Sequence, residues 1–514
     1  MRLLAGAIVL ATAGVACAAQ PFNLASDPRI DPTKFRVTTF ASGLQFTTGV
    51  ERLSDGSMLV AISEPNVGGS FYASTGKLLR LTDNNLDGVA DNAGTYLNTG
   101  LPGSIVQMRM AGDILVVNSA NPAVSKISFL RQGATPSSPF TNLGSIDLDF
   151  PDAGAHMHDT YALAIRPGPA GNQHEVYFNV GSRNNNTNNA TQVPASGLLT
   201  ANLNPESIYR MTMTDTGSSV SLSGLQQLAS GLRNAAGIAF HPTTGDLWFQ
   251  DNGIDGVSDE PTSVDEMNKI AAAQIGTSVP NFGFAGDYIQ YRTGTRIGSG
   301  GVQPVHTFQP IPQPSGSESE GATEIAFAPA NFPAGLNDGF FVGFHGKFST
   351  AGVTNEENPL RYYDPTTNTS FEFIPNNANV GHLNNIFATE DSLFVSDFNT
   401  LGPVFSTTPS GALYQITAYP QPFGDADRNG FIDGDDYFRI DVGYSRGSFG
   451  WDNGDFNMDG VINGDDYHII DTAYAAAPPA PASAVPEPAG GLLLCVGILA
   501  SCRRNAKARS RMTG

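Results

Sequence analysis

The sequence predicts an all-β chain, a six-bladed β-propeller, followed by a small helical calcium-binding domain at the C-terminus. A strand–turn–strand theme with period-two hydrophobic residues recurs six times between residues 35 and 419. Composition favours short strands and many turns, with 57 Gly and 34 Pro among 514 residues and only 15% charged. Close to the end stand two near-copies of one acidic loop, "GDADRNGFIDGDDYFRID" at 424–441 and "GDFNMDGVINGDDYHIID" at 454–471.

Residues 1–19 read as a secretory signal peptide: a short basic start, an apolar run, then small residues at Ala16, Ala18 and Ala19. Cys17 raises a lipoprotein alternative, against which Gly14 stands where a large apolar residue is usual. The three cysteines are Cys17, Cys495 and Cys502, so the body between them has no disulfide. A net charge of −21 repels nucleic acid and anionic lipid and argues against both as partners.

The six themes are "VERLSDGSMLVAIS" (50–63), "IVQMRMAGDILVVNS" (105–119), "YALAIRPGPAGNQHEVYFNVGS" (161–182), "AAGIAFHPTTGDLWFQDNG" (235–253), "ATEIAFAPANFPAGLNDGFFVGFHG" (322–346) and "NNIFATEDSLFVSDFN" (384–399). Each holds two alternating strands around a Gly-, Asp- or Pro-bearing turn. Further strands follow, such as "GKLLRLT" (76–82), "ESIYRMTM" (206–213) and "GALYQIT" (411–417). A β-sandwich array is the alternative, but it would not need one theme six times. Trp248 and Phe249 are expected at alternate strand positions, one side in the core. Residues 182–197 and 254–320 read as long loops on one face, where propellers keep their function. In the first blade, "DNNLDGVAD" puts Asp83, Asn85, Asp87 and Asp91 at positions 1, 3, 5 and 9 of a calcium-like loop, with Gly88 at 6 and Gly94 at 12. It reads as a structural calcium site at a blade edge, with a solvated turn as the alternative.

The tail loops are fuller. In the first, Asp425, Asp427, Asn429, Asp433 and Asp436 fall at positions 1, 3, 5, 9 and 12, with Gly430 at the sharp turn and the Phe431 carbonyl at position 7. The second repeats this with Asp455, Asn457, Asp459, Val461, Asn463 and Asp466. Calcium takes six to eight hard oxygen ligands, and this spacing supplies them. Each loop precedes a short apolar pattern suited to a helix. The pair resembles a dockerin over 424–474, and the resemblance implies docking onto a cohesin-like partner. A Pro/Ala linker follows at 475–484. Residues 485–508 open with "VPEP", continue through about fourteen apolar or small residues and end on a basic stop. This segment resembles the PEP-CTERM sorting signal with its short transmembrane stretch. The resemblance implies processing by an exosortase and a place at the envelope, outer surface or extracellular matrix of a Gram-negative bacterium; a plain membrane anchor is the alternative.

No P-loop, dinucleotide fingerprint or nucleophile elbow is present. The richest constellation is "GLRNAAGIAF" from Gly231, Asn252-Gly253, "DEMNKI" (265–270) and "NFGF" (281–284). It resembles the glucose/sorbosone dehydrogenase family, six-bladed propellers that use pyrroloquinoline quinone (PQQ) with calcium. The resemblance covers most of residues 37–418. It implies that His158, nine residues before Pro167, is the general base, and that Arg233 and Asn234 contact the cofactor. It also gives the carbonyls of Gly253 and Ile254 to calcium and a further positive charge to Lys347. The chain departs from the family where Gly381-His382 replaces an Arg-Pro pair, with Arg361 as a candidate substitute charge. Each residue has another reading. His158 is also compatible with a structural loop histidine or, with His156, a metal pair; Arg233-Asn234 with a fixed blade lead-in; Asp265, Glu266 and Asn268 with holding a loop.

The expected function is therefore an exported oxidoreductase that acts on a sugar, aldose or alcohol CH–OH group. The membrane enters only through the C-terminal segment. The alternatives are an inactive propeller that binds carbohydrate or protein at the surface, and a calcium-dependent propeller hydrolase or lactonase.

Overall fold

The computed structural model describes residues 20–476 apart from 66–72, 93, 98–100, 102–103, 121–123, 151–156, 258, 309–318, 320, 347–359, 376–379, 381, 401–409 and 421. The expected signal peptide and sorting segment lie outside the described residues, as do Lys347, His156 and most of the linker. Among the described residues no helix is long and apolar enough to cross a membrane. The chain divides into two units, Met1–Tyr419 and Pro420–Gly514.

The first unit is a six-bladed β-propeller. Each repeated theme folds as an antiparallel hairpin, because its apolar alternation gives two buried faces and its turn carries the polar residues. These hairpins are the inner two strands of each blade. They run Thr47–Arg52 and Met58–Pro65 in blade 1, Ser104–Ala111 and Ile114–Ala120 in blade 2, and Leu163–Pro167 and Gln173–Val180 in blade 3. Blades 4 to 6 use Gly237–Phe240 and Leu247–Asp251, Ala322–Phe327 and Phe340–Phe344, and Leu383–Ala388 and Ser392–Asp397. Innermost strands of consecutive blades neighbour one another round a closed ring, blade 6 returning to blade 1. Blade 6 takes its fourth strand from the N-terminus: Phe35–Leu44 pairs antiparallel with Gly411–Ala418, Phe35 opposite Ala418.

Three sequence expectations change. Trp248 and Phe249 are both core residues, 4% and 0% exposed. Trp248 packs with Ile325 and Phe340 of blade 5, and Phe249 with Tyr177 and Leu228 of blade 3. A blade has a neighbour on each face, so neither side of its strand meets water. Residues 182–197 are not all loop. Val193–Gly197 and Ala201–Leu203 form a hairpin added to the outer edge of blade 2, Ala195 opposite Leu148. It buries Val193, Ala195 and Leu203 and covers an edge that would otherwise be unpaired. Finally, residues 254–320 are not all loop: Glu266–Ile270, which carries Glu266 and Asn268, is the third strand of blade 4.

Among its described residues the second unit has two α-helices, α1 (Gly434–Arg446) and α2 (Gly464–Ala476), each directly after an acidic loop. Asp433 and Asp436 form a capping box that starts α1. The two halves meet by exchanged contacts. Tyr437 Oη donates to Asp471 and Tyr467 Oη to Asp441, each at 2.7 Å. Ile440 of α1 lies against Gly454, where a Cβ would fall 2.5 Å from the Ile440 Cβ, and Ile470 of α2 lies against Gly424.

Candidate functional site

In a closed ring of blades, the polar side of each innermost strand turns to the axis. There the structure has a cavity of about 310 Å³. Every blade contributes to its wall, through Thr48, Val106, His158, Arg233, Glu324 and Asn385 among others. His158 and Arg233 precede innermost strands, while Asp255, His345 and Phe398 follow second strands. In an up-and-down blade those two kinds of connection lie on one face, so the cavity opens there.

His158 is 9% exposed and held from two directions. Its backbone N–H donates to Ser182 O at 3.0 Å, and its Nδ1 is 3.1 Å from Ser182 Oγ. Arg233 is 2% exposed, and its guanidinium is committed along one edge. Nη2 donates to Asp255 Oδ2 at 2.7 Å and to Asn185 Oδ1 at 2.9 Å, and Nε to Asn185 O at 3.2 Å. Asp251 collects the backbone N–H groups of Arg233 and Asn234 at 3.0 and 2.6 Å, which fixes this lead-in to blade 4. Burial pushes the Asp251 carboxyl up to about 7 although those two amides pull the other way.

The orientation of Asn234 follows from its neighbours. Ala322 O can only accept, so the Asn252 nitrogen faces it. Asn252 Oδ1 then accepts from Asn234 Nδ2 at 2.8 Å. Asn234 Oδ1 remains, buried and with no hydrogen-bond partner among the described residues. An orphaned acceptor of this kind is satisfied by a cation or by an N–H or O–H donor.

Deeper along the axis, Arg109 of blade 2 reaches across to Glu324 of blade 5 at 3.1 Å. Those blades are opposite in the ring, so the ion pair spans it. Burial pushes the Glu324 carboxyl up to about 7 against the pull of Arg109. His345, beside the cavity, is kept neutral by burial with a pKa down at about 4. His382 is fully buried, its N–H donating to Asp397 Oδ1 at 2.9 Å and its Nδ1 bonding to His345 O. Arg361 does not line the cavity. It lies on the third strand of blade 5 and bonds to Ser370 at 3.3 Å, too far out to replace a charge at the axis.

The structure brings His158, Arg233 and Asn234 to one wall. Gly253 N–H donates to Asp265 Oδ1 at 2.7 Å nearby. Ile254 O accepts from both Thr262 and Ser263, at 2.8 and 3.2 Å, which uses the two lone pairs a cation would need. Sequence reasoning missed Ser182, Asn185, Asp251, Asp255 and Glu324. Their signal was weak, since polar residues at strand ends and in an asparagine-rich run look like solvated turns.

A calcium-bound tricarboxylate quinone needs a cation for its carboxylates, donors for its oxygens and oxygen ligands for the ion. Arg233 supplies the first, and the orphaned Asn234 oxygen and Asp255 can face an ion. The donor set at this wall therefore fits the group.

The three acidic loops share one backbone. Position 4 has positive φ in each, at Leu86 (61°), Arg428 (59°) and Met458 (55°), as does the glycine at position 6. In each, the position-6 N–H donates to the first aspartate: Gly88 to Asp83 at 2.9 Å, Gly430 to Asp425 at 2.7 Å, and Gly460 to Asp455 at 3.1 Å. In the tail, Asp425, Asp427 and Asp436 bring carboxylate oxygens within 4.8 Å of one another. Asp425, Asp436, Asp455 and Asp466 are at most 2% exposed. Burial raises the pKa of Asp425, Asp455 and Asp466, and a neighbouring aspartate in each case pushes the same way. Among the described residues the blade-1 loop leaves Asp83 Oδ1 without a hydrogen-bond partner, but it has Arg36 beside it and no acidic position 12.

No protein-family model matches the sequence, and no curated protein matches it either. Among solved structures the chain is similar to the PQQ-bound aldose sugar dehydrogenase of Streptomyces coelicolor, at 15% identity over 76% of this chain and 99% of that one, with a TM-score of 0.47. It is similar to the apo-form of the soluble aldose sugar dehydrogenase of Escherichia coli, at 15% identity over 75% and 99%, TM-score 0.48. It is also similar to the holo PQQ domain of a pyranose dehydrogenase from Coprinopsis cinerea, at 13% identity over 78% and 99%, TM-score 0.47.

Proposed function

We propose that the propeller is a PQQ- and calcium-dependent dehydrogenase of sugar, aldose or alcohol hydroxyls, with His158 as general base. The observation that supports it is the meeting of His158, Arg233 and Asn234 at one wall of the axial cavity. The imidazole Nε2 takes the proton of the substrate hydroxyl as its C–H bond is broken. Bound PQQ with calcium would supply the hydride acceptor. Arg233 and Asn234 would hold it, with Lys347 as a further cation and the Gly253 carbonyl as an ion ligand.

The tail, on this reading, is a calcium-folded docking module of the dockerin type. It would bind a cohesin-like partner on an exported chain held at the cell envelope by residues 485–508. The Asp83 loop would hold one further structural calcium. A second reading is favoured by the Arg233–Asp255 pair at 2.7 Å, which already neutralises the arginine a cofactor would use. In that case the propeller binds carbohydrate or protein and turns nothing over.

Adding PQQ and calcium to the purified chain and following dye reduction over a panel of sugars separates the two. The expected result is a cofactor spectrum and turnover, with His158→Ala lowering kcat by roughly 10²–10⁴-fold. No spectrum and no turnover leaves the binding module.

A further inference from the structure

We infer that Ser182 is the positioning residue of this site, and that it fixes His158 as the Nδ1–H tautomer. The inference rests on His158 being the base. Ser182 is fully buried, two residues past the second strand of blade 3. Its hydroxyl has two partners, His158 Nδ1 at 3.1 Å and the Asn184 carbonyl at 2.8 Å. A hydroxyl has one hydrogen, and a carbonyl oxygen can only accept. The hydrogen therefore points to Asn184, and His158 Nδ1 must donate to the serine oxygen. In the neutral imidazole Nε2 is then the ring nitrogen without a proton, the state a general base needs.

The backbone of Ser182 makes the same link twice more. Its carbonyl accepts from His158 N at 3.0 Å, and its N–H donates to Arg233 O at 2.8 Å. One residue thus sets the base against the arginine lead-in. The segment continues to Asn185, which orients the Arg233 guanidinium and donates through Nδ2 to Asp255 O at 2.9 Å. At Nδ1 the imidazole meets a neutral hydroxyl, and hydrogen-bond accounting at that hydroxyl sets the tautomer.

The test is long-range ¹H–¹⁵N NMR of the full chain labelled at histidine, with the His158 signals identified from His158→Gln. The wild type is expected to show a protonated Nδ1 and a bare Nε2. Ser182→Ala should move the population toward Nε2–H, and Ser182→Thr, which keeps the hydroxyl, should restore it. Where turnover is measurable, Ser182→Ala should lower kcat about tenfold with KM unchanged, the size of one lost hydrogen bond. A wild type in the Nε2–H form, or a tautomer unchanged by Ser182→Ala, overturns the inference. The expected tautomer without turnover on any cofactor would instead overturn the dehydrogenase reading and leave the role of Ser182 standing.

Discussion

Gly181 has no side chain because His158 occupies that space. A Cβ there would lie 2.5 Å from the His158 Cβ and 2.8 Å from its carbonyl oxygen. Gly181→Ala should therefore push the imidazole away from Ser182 and cost about 1–3 kcal/mol in overpacking. The expected outcome is a lowered melting temperature together with loss of the Nδ1–H signal of His158; an unchanged NMR signal would show that the strand absorbs the methyl. At this scale it was the resemblance of the chain's motifs to a known family that singled out His158, Arg233 and Asn234. It gave no sign of Glu324 or Asp251. Glu324 sits in an alternating strand, where a polar position normally faces water. Only the closure of the ring turns that position onto the axis and pairs it with Arg109.

Among elements, the acidic loops were the most legible, because their ligand spacing is local and their backbone follows from it. The helices were legible for the same reason: Asp433 and Asp436 cap α1 within the loop itself. The hairpin at 193–203 was not, since its pairing partner, Thr141–Asp149, lies about fifty residues upstream, before the first two strands of blade 3. The buried carboxylates of the tail predict a dependence on calcium. A chelator should raise hydrogen exchange across 425–436, 455–466, α1 and α2, with calcium restoring protection. Unchanged exchange would mean that hydrogen bonds alone hold the loops. The contacts between Ile440 and Gly454 and between Ile470 and Gly424 give the reason both halves should respond together.

For the whole molecule, the buried carboxyls set a pH dependence. Glu324 and Asp251 are each pushed up to about 7 in the folded chain. The unfolded chain releases those protons nearer pH 4, so across that interval the folded state binds more protons than the unfolded one. Stability from these groups is thus complete below about pH 4 and is lost as pH rises through about 7. The propeller's melting temperature should fall between pH 5 and pH 8, and Glu324→Gln should flatten that slope. The variant also leaves Arg109 without its carboxylate, at a cost of order 3–5 kcal/mol for a buried pair, so the slope and not the absolute melting point is the readout. A slope unchanged in the variant would assign the dependence to other groups.

The sequence alone determined the strand themes, their number and the acidic loops, because each depends on residues within a few positions of one another. Tertiary structure decided what those elements enclose. Closing the ring through Phe35–Leu44 packs both faces of each blade and sends the polar edges of six strands to one axis. It brings Ser182 to His158, Asn185 to Arg233, and Arg109 to Glu324 across 24, 48 and 215 residues of chain. Local periodicity carries no information about such distances, since it specifies which face of a strand is apolar and not which strand will lie opposite.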